Sequence, residues 1–196
     1  MKKQSKWTLR HICTLAGICL LVVAGILMGS WLMNIHTAKA KTAGYVQAIR
    51  AFIPTPQAAL LEQRSNNTMA SLSIDGIDFV GLVEMPVFGS ALPVGAAWGN
   101  ASRYPCRLSG SIYDGSMQIG ATTQPGQYDF YREISAGDPV YFTDMEGNRF
   151  SYTVTDIRYQ KQADQETLQQ QPGDLVLFIQ NIYGFEYIVL FCSAKI

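Results

Sequence analysis

The stretch 174–192, DLVLFIQNIYGFEYIVLFC, constrains this chain more than any other. It holds two apolar runs, 175–179 and 187–192, hinged at Tyr183-Gly184. Runs this short, rich in Val, Ile, Phe and Tyr and broken by Gly, are strand signals. A strand with one wet face alternates apolar and polar residues, and these two do not. Both are therefore expected to be buried on two faces, in the middle of a barrel or sandwich. The hinge at 180–186 then lies on the rim, where binding and catalytic residues collect.

The 196 residues carry no net charge, with 15 Lys and Arg against 15 Asp and Glu, but the signs are separated along the chain. Residues 1–70 hold 8 Lys and Arg against 1 Glu, a net +7, and residues 71–196 hold 7 against 14, a net −7. A folded part this acidic argues against a nucleic-acid partner, whose phosphates require clustered Lys and Arg. Lys2, Lys3, Lys6 and Arg10 precede a charge-free run, 12–35, rich in Leu, Ile, Val, Gly and Ala. About 20 apolar residues cross a bilayer as a helix, and a basic flank stays on the cytoplasmic side. The expected organisation is a cytoplasmic tail at 1–11, a transmembrane signal anchor at 12–35, an extracytoplasmic helical tether at 36–70 and a β-rich domain at 71–196. Ala38-Lys39-Ala40 offers a cleavage site as the rival reading, but cleaved signals have apolar cores of only about 7–15 residues. Cys13 and Cys19 inside the run read as apolar packing residues.

Tyr45, Ala48, Ile49, Phe52 and Ile53 recur at helical spacing until Pro54 and Pro56 stop the pattern. Residues 58–64 suit a short second helix, and the polar run 65–68 suits a domain boundary. Strands are expected at 79–85, 107–113, 116–121, 139–144 and 149–157, with Asp114-Gly115 and 145–148 as turns. Residues 128–134 suit one or two helical turns, and 164–171 a short helix ended by Pro172-Gly173. The result is a mainly β fold, a closed or nearly closed barrel of about seven to eight strands with short helices.

Four of these segments, in this order, resemble the sortase family. Sortases are membrane-anchored cysteine transpeptidases of Gram-positive bacteria that attach proteins to the cell wall or join pilin subunits. FVGLVEMPVFGSALPVG (79–95) is similar to the first sortase strand and its Leu-Pro-Val continuation. YPCRLSGSIYDGSMQIGAT (104–122) is similar to the strands leading to the catalytic histidine, and AGDPVYFTDMEGNRFSYTV (136–154) to the hairpin that follows. GDLVLFIQNIYG (173–184) resembles the strand that ends at the catalytic cysteine. The resemblance covers residues 77–192 and implies a sortase-like barrel. It also implies that Thr122, Gln180 and Tyr187 stand where the family has His, Cys and Arg, so all three positions are degenerate.

One point does not depend on register. The two histidines are His11 and His36, so residues 37–196 contain none. A thiolate nucleophile needs a base, a cation or a helix terminus beside it. The thiols beyond residue 37 are Cys106 and Cys192, and neither falls at the family's nucleophile position. They are either a disulfide or two buried thiols, because sequence does not supply the Cα separation.

The resemblance also implies a rim groove made by Ala121, Thr122, Gln180, Asn181, Tyr183, Phe185 and Tyr187. The Gln180 amide offers a peptide backbone both a donor and an acceptor, or is a neutral replacement left after catalysis was lost. The three aromatics either meet a peptide or glycan or simply pack. Asp114, Asp129, Glu133, Asp138, Asp144 and Glu146 raise calcium, but no 12-residue loop of EF-hand type contains them. They read as a solvated acidic face, with no metal and no cofactor expected. The expected function is a membrane-anchored pseudo-sortase at the cell surface, catalytically inactive, binding a sorting-signal peptide, a pilin or a partner sortase. The alternatives are an active transpeptidase with an atypical nucleophile and a structural relic in a surface assembly.

Overall fold

The computed structural model describes residues 5–55, 57–58, 68–100, 103–161, 173–182 and 186–195. The chain forms two compact units, Met1–Thr37 and Ala38–Ile196, and one helix, α1 (Ser5–Phe52), contributes to both. In the first unit the helix is apolar on all sides, with Leu20, Leu21 and Ile26 exposed. An 18-residue window of the helix has a mean hydropathy of 2.5, so it is long and apolar enough to cross a bilayer. Its hydroxyls bond back to the preceding turn, Ser30 Oγ to the Leu27 carbonyl at 2.8 Å and Thr37 Oγ1 to the Asn34 carbonyl at 3.0 Å. Such back-bonding satisfies a hydroxyl within its own helix.

The second unit is a β-barrel. Its strands are β1 (Gln57–Ala58), β2 (Leu72–Ile74), β3 (Ile77–Met85), β4 (Ser90–Gly95), β5 (Cys106–Ser109), β6 (Met117–Thr122), β7 (Pro139–Asp144), β8 (Asn148–Lys161), β9 (Leu175–Gln180) and β10 (Glu186–Ala194). Eight of them close a ring in the order β3-β4-β5-β6-β9-β10-β8-β7, with β7 returning to β3. The short β2 and β1 add to β3 and β8. Within the ring the pairings are antiparallel except β4–β5, joined at Gly95 and Cys106, and β6–β9. The closed ring leaves no long open edge around these eight strands.

Alternation assigns the faces. Leu175, Leu177 and Ile179 of β9 and Ile188, Leu190 and Cys192 of β10 point into the barrel with Met117, Ile119 and Ala121 of β6. The intervening Val176, Phe178, Val189 and Phe191 form a second buried cluster outside it. Both faces of β9 are thus dry, as the uninterrupted apolar run requires. Close approach also shapes the wall. A Cβ on Gly81 would collide with the Thr143 carbonyl and the Phe142 ring, so the β3–β7 contact that closes the barrel needs glycine there.

Several local expectations change. Residues 107–113 do not form one strand: β5 ends at Ser109, and Gly110, at φ +70°, turns the chain so that Ile112 is buried from a loop. β4, which contains Pro93, was not anticipated as a separate strand. A proline is tolerated because β4 meets β5 only at Gly95, so the missing N–H leaves no partner unpaired. Ala58 lies in β1 rather than in a helix, and 59–64 fall outside the described residues, as does the helix expected at 164–171. The helical turn expected at 128–134 narrows to one 3₁₀ turn, Tyr131–Glu133.

Asp144 does not belong to a solvated acidic face. It is 1% exposed and organises the β7–β8 turn. Its Oδ1 accepts the N–H groups of Glu146 (2.9 Å) and Asn148 (2.8 Å), while Oδ2 accepts Asn148 Nδ2 (2.7 Å) and the Tyr113 hydroxyl (2.9 Å). Among the described residues no three His, Cys, Asp or Glu side chains gather as metal ligands would.

The C-terminal part of the helix packs on the barrel. Val46 and Ile49 bury against Phe79, Leu82, Tyr104 and Cys106 on the outer wall. Tyr45, Phe79 and Tyr104 form an aromatic triangle with centroids 5.2, 5.2 and 6.2 Å apart. Glu84 receives Arg50 at 2.6 Å and Arg149 at 3.0 Å, tying the helix end to β3 and β8. Burial supplies most of the hold, since half-exposed ion pairs contribute only about 0–1 kcal/mol each. Ile49→Ala is expected to lower the stability of a chain beginning at Ala38 by about 2–5 kcal/mol, read from urea denaturation. A chain beginning at residue 68 should be weaker still, and equal stability of all three would show that the helix end does not support the barrel.

Candidate functional site

Register brings Thr122, Gln180 and Tyr187 together. In the parallel β6–β9 pair Thr122 lies opposite Gln180, and in the antiparallel β9–β10 pair Gln180 lies opposite Tyr187. Tyr187 in turn lies opposite Gln160 of β8, so the row runs Thr122, Gln180, Tyr187, Gln160 across four strands. Inward neighbours Ala121, Ile179 and Ile188 put the row on the outer face, at the rim. Gln180 is exposed, Asn181 and Tyr187 are half-buried and Thr122 is 5% exposed.

Ala121 is a correction. It was expected in the groove, but alternation turns it into the barrel core, where it is 1% exposed. Tyr183 and Phe185 lie outside the described residues.

Hydrogen bonds fix this rim. Thr122 Oγ1 accepts the Gln124 N–H at 3.3 Å, its N–H donates to Gln127 Oε1 at 2.9 Å, and its carbonyl accepts the Tyr128 N–H at 3.3 Å. The hydroxyl of Thr122 therefore helps hold the turn that follows β6. Thr123 N–H donates to the Gln180 carbonyl at 3.0 Å, and Thr123 Oγ1 accepts the Ile182 N–H at 3.2 Å. Asn181 N–H donates to the Glu186 carbonyl at 3.0 Å and closes the hinge. Thr123, Gln127 and Gln160 carry no sequence signal of this role.

Trp98 does have one. A Cβ on Gly120 would collide with the six-membered ring of Trp98, so the indole lies against β6 two residues before Thr122. An isolated Gly in a strand marks such an approach, but does not say by what.

The thiols are elsewhere. Cys106 faces outward under the helix, Cys192 faces into the barrel, and β6 and β9 stand between their strands. Both thiols are buried and neither is in a disulfide, so of the two readings the buried thiols hold. Burial pushes the Cys192 thiol up to about 12, which leaves it protonated and unreactive at neutral pH. Burial also raises the Tyr128 and Tyr152 phenols, and raises Tyr104 to about 12 with help from Cys106 and Tyr45. The row itself offers two amides, a phenol and a hydroxyl already engaged in a turn. These groups can bind a peptide backbone, but they include no base to activate a thiol.

Comparison with solved structures identifies the architecture. Sortase A from Corynebacterium diphtheriae aligns with a TM-score of 0.52 at 15% identity, over 83% of this chain and 84% of that one. The chain has a sortase-like fold. Sortase C1 from Streptococcus suis aligns with a TM-score of 0.51 at 20% identity, over 60% of this chain and 73% of that one. The lid mutant of the Corynebacterium diphtheriae enzyme gives 0.52 at 14% identity, over 61% and 72%. No family model and no curated protein matches the sequence. The sortase-like resemblance of 79–95, 104–122, 136–154 and 173–184 thus agrees with the backbone, and at these identities the likeness concerns the fold alone.

Two measurements check the thiols. In a chain beginning at Ala38, Cys106 and Cys192 should resist a maleimide while folded, and both should react in denaturant without reductant. Reaction of neither in denaturant would restore the disulfide. The raised thiol and phenol values also set a pH window. Starting from 9.0 for Cys192 and 10.0 for Tyr104, folding favours the protonated forms, so stability is full below pH 9 and falls as pH rises toward 12. Cys192→Ala should flatten the first part of that fall in urea titrations at stepped pH.

Proposed function

We propose that this protein is a membrane-anchored pseudo-sortase, with the barrel outside the cell and the Thr122–Gln180–Tyr187 rim binding an extended peptide without cleaving it. The observation that carries the reading is the outer row itself. Three neighbouring strands bring neutral hydrogen-bonding side chains to the positions that resemble a catalytic triad, while residues 37–196 contain no histidine. The basic residues before the apolar helix support a cytoplasmic N-terminus. A sorting-signal peptide, whether on a free substrate, on a pilin or held by an active sortase, is the ligand class the resemblance favours. Gln180 would pair with its backbone, and Trp98 and Tyr187 would flank it.

The test uses the full chain in detergent with a mixed library of sorting-signal peptides, reading binding and turnover on the same samples. Binding without transpeptidation or hydrolysis is expected. Gln180→Ala should weaken it by about 3–10-fold, the worth of one net hydrogen bond. Turnover would overturn the proposal in favour of an atypical nucleophile. Absence of both would leave a structural role in a surface assembly.

A further inference from the structure

A pocket lies beside the turn that follows β6. Residues 39–43 of α1, the turn at 88–89 with the start of β4 (90–92), and the loop 126–130 after β6 line this open pocket of about 300 Å³. Phe88 and Phe130 stack in its wall with centroids 4.7 Å apart, and Leu92 adds apolar surface. Helix and loop approach closely here: a Cβ on Gly126, at φ +84°, would stand 3.1 Å from Thr42 Oγ1 and 3.3 Å from the Ala38 carbonyl. The charges lining the pocket are Lys39 and Asp129, and they pair with each other at 2.7 Å.

Gln127 also borders the pocket and is only 2% exposed. Its Oε1 accepts the Thr122 N–H, which fixes the other end as the amide nitrogen. That Nε2 is buried and has no hydrogen-bond partner among the described residues. An unpaired buried donor is destabilising until an acceptor reaches it.

We infer that this pocket binds one uncharged, apolar peptide residue, taking its side chain against Phe88, Phe130 and Leu92 and its adjoining carbonyl toward Gln127. Three observations set that class. The volume is at the small end of ligand sites, suited to a residue rather than a domain. Mutual pairing of Lys39 and Asp129 leaves no net charge to attract an ion. The unpaired group is a donor, so the ligand must bring an acceptor. This inference does not rest on the rim binding a peptide. The two sites communicate through Gln127, so an occupant of the pocket bears on the turn that holds Thr122, and the coupling is reciprocal.

The test is a titration of the full chain in detergent micelles, labelled with nitrogen-15 at glutamine side chains, with N-acetyl-leucine N-methylamide. A probe of about thirteen heavy atoms should saturate the Gln127 side-chain signal with a Kd of about 1 mM. Its anionic relative, N-acetyl-leucinate, should bind about tenfold more weakly, because the pocket offers no free cation. Ala43→Phe, at an exposed helix position on the pocket mouth, should abolish the Gln127 shift without changing the melting temperature. A saturable shift confined to Gln180, or none at Gln127 up to about 10 mM, overturns the inference. The first of those results would still support the rim. Equal binding of the anionic probe, or a Gln127 shift that survives Ala43→Phe, also overturns it.

Discussion

The parallel pairing of β6 with β9 is the contact on which the rest of the barrel depends. It joins chain segments separated by the β7–β8 hairpin and completes the ring between its two ends. A parallel pair cannot be closed by a tight turn, so the crossover must travel around the barrel and return. Burial of β9 on both faces makes the pairing register-specific. A slip by one residue would send Leu175, Leu177 and Ile179 outward and Val176 and Phe178 inward, misplacing shapes in two packed clusters at once. The same register puts Thr122 beside Gln180, so the geometry of the rim follows from the packing of the core.

The outer wall carries two layers of a different kind. Over β9 and β10 the apolar outer residues form their own cluster, with Leu108 and Tyr187 against it. Over β3 the cover is the end of α1, whose Val46 and Ile49 shield Phe79, Leu82 and Cys106. This helix segment is therefore part of the barrel's hydrophobic structure, and the second compact unit runs from Ala38. The apolar spacing of Tyr45, Ile49 and Ile53 already marked a sticky face on that helix. Its target was not legible, because a helical stripe states that something is covered and not what.

The side chains of the rim row are neutral hydrogen-bonding groups. Sortase-like enzymes of this fold provide the comparison for shape, while the present chain supplies Thr, Gln and Tyr in the row. Hydrogen bonds made by Thr122, Thr123 and Asn181 hold the strand ends together. A rim of this sort can recognise a backbone, since amides and phenols match the donors and acceptors of a peptide.

By itself the sequence determined what is local or compositional. Period-two alternation and unbroken apolar runs located most strands, Pro54 ended the helix, the charge-free run marked the apolar segment, and the histidine content bounded the chemistry. Only the tertiary structure decided what depends on neighbours distant in sequence. It turned Ala121 inward, separated Cys106 from Cys192 across two intervening strands, buried Asp144 in a turn network and laid Trp98 on Gly120. It also aligned Thr122, Gln180, Tyr187 and Gln160 in one row. The physical reason is that alternation fixes which side of a strand is apolar, whereas strand order and register come from closing one ring around one core. That closure is a property of the whole set of strands, and no single segment encodes it.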